Sequence, residues 1–233
     1  MAKRKSAAYM TSGERFAGVI FFLVYVVVLP LVTAPFLRLC EKVVGTSISE
    51  ALRSGIIYSL LFVAAIVIFR RFLGSTTAKL SDNLGPACQS IFVGLVGLYG
   101  MNELLYRLSG LLVSDAVDLN DIPISAQIDD APRLTFLVIV FLAPFVEEVL
   151  FRGLIFGNLK GKSLAVAYVL SCVLFALSHV WAFAVNSQTL SRFLVLVQYL
   201  VPGLVLAWSY DRSGTLWTPI ALHAVFNALA LWV

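Results

Sequence analysis

Six polar side chains, Glu147, Glu148, Arg152, His179, His223 and Asn227, interrupt long apolar stretches of this sequence. In Phe145-Val146-Glu147-Glu148-Val149-Leu150-Phe151-Arg152, Glu148 and Arg152 stand four residues apart, which puts them on one face of a helix where they can pair. Glu147 is turned about 100° from that face and lacks the local partner. A poorly solvated carboxylate is suited to general-base work near neutral pH, so Glu147 is the expected base. His179 follows Phe175 by one helical turn, and His223 and Asn227 are spaced alike. Neutral imidazole can bind a metal, hold a water or donate a hydrogen bond, and an amide can stabilise negative charge growing on an attacked carbonyl. A base, a water holder and an oxyanion donor are enough to hydrolyse an amide bond.

The elements that must position these groups follow from composition. Of the 233 residues, 60% are hydrophobic and only 13% charged, against about 45–50% and about 25% in soluble domains. Seven apolar stretches separate the clusters of charge: 16–37, 54–69, 83–102, 134–159, 163–191, 193–210 and 213–233. Backbone amides in hydrocarbon must be satisfied internally, and the runs lack the alternation of barrel strands. The expectation is an all-α polytopic membrane bundle of about seven transmembrane helices, within a range of six to eight. A soluble-protein reading is excluded. Each ionisable group at depth costs about 2.5–3.5 kcal/mol on insertion, which marks the residues above as functional candidates, although interhelical hydrogen bonding alone would also account for a single His or Asn.

The first run is too long for a signal peptide and lacks a small-residue cleavage site, so it is expected to be retained. Cys40, Cys88 and Cys172 show neither disulfide nor zinc-knuckle spacing. The net charge of +4 is assigned to membrane orientation and not to nucleic acid. Lys3, Arg4, Lys5, Arg15, Arg70, Arg71, Lys79, Lys160, Lys162 and Arg212 fall on one side. The other side carries fewer basic residues, diluted by Asp115, Asp118, Asp121, Asp129 and Asp130. The positive-inside bias then places the N-terminus in the cytoplasm. The connection from about Arg107 to Pro132, with Pro123, reads as an external solvated spacer, with a lid over the substrate as its alternative. Gly94, Gly97 and Gly100 suggest a close helix-packing face, Glu103 and Arg107 an interfacial pair, and Pro30, Pro35 and Pro202 helix kinks or ends.

The ordered set Glu147-Glu148-x-x-x-Arg152, Phe175-x-x-x-His179 and His223-x-x-x-Asn227, on separate membrane helices, resembles the CPBP family of type II CAAX prenyl endopeptidases and bacteriocin-processing or immunity proteins. The resemblance covers roughly residues 133–233, the expected catalytic core. Residues 1–132 match no motif and are expected to enclose the cavity, within a single integral membrane domain. The resemblance implies an intramembrane protease in which Glu147 activates water with His179, His223 and Asn227 stabilise the oxyanion, and Glu148 and Arg152 give support. It also implies that a helix present in some members after the Asn227 position is lacking here.

The cofactor is left open by these residues. Glu147, His179 and His223 could supply the three protein ligands of a catalytic zinc, but a metal-bound Glu147 could not serve as the base. HExxH spacing is absent, which favours glutamate catalysis without metal. The expected partners are membrane lipid and a protein or peptide substrate, prenylated, lipid-modified or bearing a leader, in the plasma membrane of a prokaryote. Nucleic acid is not expected, and oligomeric state is not legible. The competing reading is a non-catalytic membrane protein that binds a bacteriocin, sensor or secretion partner and confers immunity or regulation. A proton-coupled transporter would also use buried Glu and His, but paired broken helices are not apparent.

Overall fold

The structure, a computed structural model, describes residues 9–112, 127–184 and 191–231. Regular structure among them is entirely helical. Helix α1 (residues 12–44) comprises Ser12–Leu23, a π-helical stretch Val24–Val28 and Leu29–Val44. It is followed by α2 (Glu50–Ile68), α3 (Arg70–Asp82) and α4 (Leu84–Leu112). Helix α5 (Pro132–Leu159) contains two π-helical stretches, Val138–Leu142 and Val149–Phe156. Then come α6 (Leu164–Ala184), α7 (Ser191–Ser213) and α8 (Trp217–Ala230). Lys3, Arg4, Lys5, Asp115, Asp118, Asp121 and Pro123, used above for orientation and for the long connection, lie outside the described residues.

Four stretches, Ser12–Val43, Glu50–Ile68, Leu84–Leu105 and Pro132–Leu159, are long and apolar enough to cross a bilayer. The remaining expected spans fall on α6, α7 and α8. Of these, α8 has 14 residues, about 21 Å at 1.5 Å per residue, short of the roughly 30 Å of hydrocarbon. Helix α3 was not anticipated as a separate element. Its Phe72, Leu73 and Thr76 are buried, while Arg70 and Arg71 are exposed.

The bundle is organised around α5. From Pro144 to Phe156 nearly every α5 residue is buried, and α1, α2, α6, α7 and α8 all pack against it. The approach of α1 and α2 depends on missing side chains. A Cβ on Gly18 would come within 2.9 Å of Leu154 and Phe69, and one on Gly55 within 2.8 Å of Leu134. On α4, Gly94 faces Leu222 of α8 in the same way, whereas Gly97 only grazes Val205 and Gly100 meets nothing. The expected glycine face is therefore a single close contact.

Polar groups fasten the connecting elements. Glu14 accepts hydrogen bonds from the amides of Arg71 (3.0 Å) and Phe72 (2.8 Å) with one oxygen, and from the amide and hydroxyl of Thr11 (both 2.8 Å) with the other. It thus serves the first turns of α1 and α3 together, where helical amides lack intrahelical acceptors. Thr76 of α3 accepts from the amide of Leu216 at 2.7 Å, and Trp217 Nε1 donates to Thr77 at 2.8 Å. These bonds hold the start of α8, the helix that carries His223 and Asn227. Glu103 and Arg107, expected as an interfacial pair, form an exposed ion pair.

Candidate active site

The buried stretch of α5 supplies both carboxylates, and their roles in the structure diverge as a 100° rotation requires. Glu148 and Arg152 are fully buried and paired, with Arg152 Nη1 donating to Glu148 Oε1 at 2.9 Å. The same guanidinium donates through Nη2 to the Gly203 carbonyl on α7 at 3.1 Å and lies over the Phe175 ring on α6, 4.4 Å from its centroid. Glu148 Oε1 also accepts from His223 Nδ1 of α8 at 2.9 Å. One ion pair thus connects α5 to three other helices. Buried ions are tolerated only when paired and hydrogen-bonded in this way.

Glu147 is 5% exposed and stands on the other side of this pair. Its Oε1 accepts a hydrogen bond from the Tyr25 hydroxyl of α1 at 3.0 Å, and that hydroxyl lies 3.4 Å from the hydroxyl of Tyr58 on α2. Its Oε2 faces His179 Nε2 at 3.8 Å and His223 Nε2 at 3.9 Å. These separations exceed a direct hydrogen bond. They suit a single small molecule held between the three groups.

The orientation of each imidazole is set by its other nitrogen. His179 Nδ1 lies 2.8 Å from the Phe175 carbonyl, which can only accept, so Nδ1 carries the proton. The His179 ring stacks on Tyr199 of α7, with centroids 4.3 Å apart. His223 Nδ1 donates to the Glu148 carboxylate by the same reasoning. In their neutral forms both rings therefore present a lone pair at Nε2 toward Glu147. A water there can donate one hydrogen to Glu147 and one to an imidazole. Phe175, which composition alone would leave as ordinary core, backs this arrangement with its ring edge-on to His223 at 6.0 Å between centroids.

Asn227 differs from the expected geometry. Its Nδ2 donates to the Ile139 carbonyl at 2.9 Å, and the reason lies in α5. In a π-helical turn each amide bonds the carbonyl five residues back, as Ala143 does to Val138. The residue that should serve Ile139 is Pro144, which has no N–H. Asn227 supplies the missing donor and secures α8 to α5, leaving one amide hydrogen for any other use.

The imidazoles have the hydrogen-bonded outer nitrogens typical of metal ligands, but their spacing from Glu147 is wider than in a tetrahedral zinc site. Zinc bonds of about 2.0–2.2 Å in a tetrahedron hold neighbouring ligand atoms about 3.3–3.5 Å apart. Here Glu147 Oε2 is 3.8 and 3.9 Å from the two nitrogens. Among the described residues no group of three His, Cys, Asp or Glu is arranged to hold a metal ion.

A match to a known family falls on the same helices. Residues 130–229 match the family model described as type II CAAX prenyl endopeptidase Rce1-like. The matched residues, similar to that family, make up less than half of the chain. The match takes in α5, α6, α7 and nearly all of α8, hence all six polar residues singled out in the sequence. A UPF0177 protein from the abiGi 5' region of Lactococcus lactis subsp. cremoris is 36% identical over 98 residues, covering 42% of this chain and 37% of that protein. The protein named "Putative membrane peptidase YdiL" of Bacillus subtilis (strain 168) is 29% identical over 102 residues, covering 43% and 37%. The UPF0177 protein YxdF of Lactococcus lactis subsp. lactis (strain IL1403) is 29% identical over 93 residues, covering 39% and 44%. The matches thus span less than half the length of these relatives. No solved structure matches the chain. The apolar helices indicate an integral membrane protein, and residues 130–229 of it are similar to a protease family.

Tyr25 and Tyr58 lie outside the Rce1-like segment, and sequence reasoning missed them. A tyrosine in an apolar helix ordinarily marks an interface or a core. The only signal available was that both fall well inside predicted spans, where a phenol hydroxyl needs a partner.

Proposed function

We propose that the protein is an intramembrane endopeptidase that hydrolyses a peptide bond in a membrane-associated protein or peptide. The reading is carried by the convergence of Glu147 Oε2, His179 Nε2 and His223 Nε2 from three helices, with 3.8 and 3.9 Å between the oxygen and the two nitrogens, a gap that one water can bridge. A water in that gap is deprotonated by Glu147 while His179 holds it. The water oxygen bonds to the substrate carbonyl carbon, and negative charge moves to the carbonyl oxygen. His223 and the free amide hydrogen of Asn227 stabilise that charge, a service typically worth a factor of about 10²–10³ per donor. A donor role for His223 Nε2 requires the imidazolium form, for which Glu148 is the counter-ion. The tetrahedral intermediate then expels the amine, which takes the proton from Glu147, and the base is restored. Arg152 and Glu148 keep the helices and the His223 ring in place, and no step passes through a metal.

The proposed setting is the plasma membrane of a prokaryote with the N-terminus in the cytoplasm, as the distribution of Lys and Arg requires. Peptides released from membranes should differ between cells carrying the native protein and cells carrying Glu147→Gln at equal membrane abundance. Identical release would overturn the assignment. One observation favours a second reading, a non-catalytic immunity or regulatory protein. The bonds Arg152–Gly203 and Asn227–Ile139 show this polar cluster serving as interhelical glue. Under that reading Glu147→Gln and His179→Ala would still complement the cellular phenotype.

A further inference from the structure

The hydroxyl of Tyr25 has one hydrogen, and the Glu147 carboxylate, which can only accept, takes it at 3.0 Å. Tyr25 is then left with lone pairs, so the contact of 3.4 Å with Tyr58 runs from the Tyr58 hydroxyl to the Tyr25 oxygen. The direction Tyr58 to Tyr25 to Glu147 follows from donor accounting alone. Anchoring Oε1 decides where Oε2 points, since the two oxygens are rigidly opposed on one carbon. Oε2 is the atom that faces both imidazoles. Both tyrosines also line a cavity of about 290 Å³ between α1, α2 and α6, along with Val26, Leu29, Ile57 and Ser178. The residue after Ser178 is His179. The cavity therefore ends against groups attached to the carboxylate and to the water-holding imidazole.

We propose that Tyr25, oriented by Tyr58, is the positioning residue that holds Glu147 with Oε2 toward His179 and His223, so that α1 and α2 complete a site whose other groups lie in the Rce1-like segment. The role of the carboxylate as base rests on the function proposed above; the positioning itself does not. A hydrogen bond to a charged group contributes enough to change a rate by about 10- to 100-fold when it is made in the productive geometry.

The test uses the full chain purified in lipid nanodiscs. Infrared difference spectra of native protein minus Glu147→Gln isolate the bands of the Glu147 carboxyl group, and Tyr25→Phe minus Tyr25→Phe/Glu147→Gln isolates them without the phenol. The expected result is a displaced band in the second difference. Coincident bands would overturn the proposal. In the membrane-release assay Tyr25→Phe is expected to lower release by about 10- to 100-fold and Tyr58→Phe by a few-fold, with kcat carrying the loss and KM unchanged once a released peptide identifies the substrate. Native release by Tyr25→Phe would overturn the proposal. A loss confined to KM would do the same. If Glu147→Gln leaves release unchanged, the protease reading fails, and the spectra still decide whether Tyr25 positions the carboxylate.

Discussion

Replacing Arg152 by Met tests whether the buried ion pair organises the site. The side chain that would be lost gives one hydrogen bond to Glu148, another to the Gly203 carbonyl, and a cation–π contact to Phe175. Both charged residues are fully buried, so Arg152→Met leaves the Glu148 carboxylate without its guanidinium partner. Breaking a buried pair on one side costs about 3–5 kcal/mol. At about 2–4 °C per kcal/mol for a chain of this size, melting should fall by roughly 6–20 °C. The double variant Arg152→Met/Glu148→Leu removes both charges. Apolar replacement of a whole pair is often neutral or stabilising, so the double variant should be more stable than the single one by about 2 kcal/mol or more. It should nevertheless be inactive, because His223 Nδ1 has lost its acceptor. Thermal unfolding of detergent-purified protein, followed by tryptophan fluorescence, reads both variants. If the single and double variants melt together, or Arg152→Met melts within 2 °C of native by this roughly additive reasoning, the account of the ion pair is wrong.

Two further outcomes follow from the geometry. Prolonged treatment with a strong chelator should leave peptide release unchanged, because the carboxylate and the imidazoles are spaced for a water and not for zinc; loss of activity restored by added zinc would contradict this. Asn227→Asp keeps the shape of the side chain but removes the donor to Ile139, leaving a carbonyl unsatisfied at a cost of about 1–3 kcal/mol. The melting temperature should therefore drop along with activity, and a loss of activity at native stability would show that the amide does not fasten α8 to α5.

The pairing in α5 was legible in the sequence because helical geometry converts spacing into direction. Four residues brought Arg152 to Glu148, and one residue turned Glu147 away, as the structure has it. His179 and His223 stood out because ionisable groups are costly in hydrocarbon. The all-helical class followed from apolar run lengths. What stayed hidden depends on contacts across the chain. Tyr25 meets Glu147 over 122 positions, and no local rule pairs a phenol with a carboxylate on another helix. The partner of Asn227 depends on a π-helical register change in front of Pro144, which no apolar periodicity reveals. Thr76, which caps the start of α8, reads in sequence as an ordinary residue of a basic connection. The expectation that residues 1–132 only enclose the cavity missed α1, which bonds directly to the proposed base.

The proposed function rests on deprotonation of a water by Glu147 within the membrane bundle. Its most direct measurement is cleavage of one identified substrate by purified protein in liposomes, comparing native chain with Glu147→Gln at matched melting temperature. Turnover is expected from the native chain and none detectable from the variant. Turnover by Glu147→Gln within a few-fold of native would contradict it.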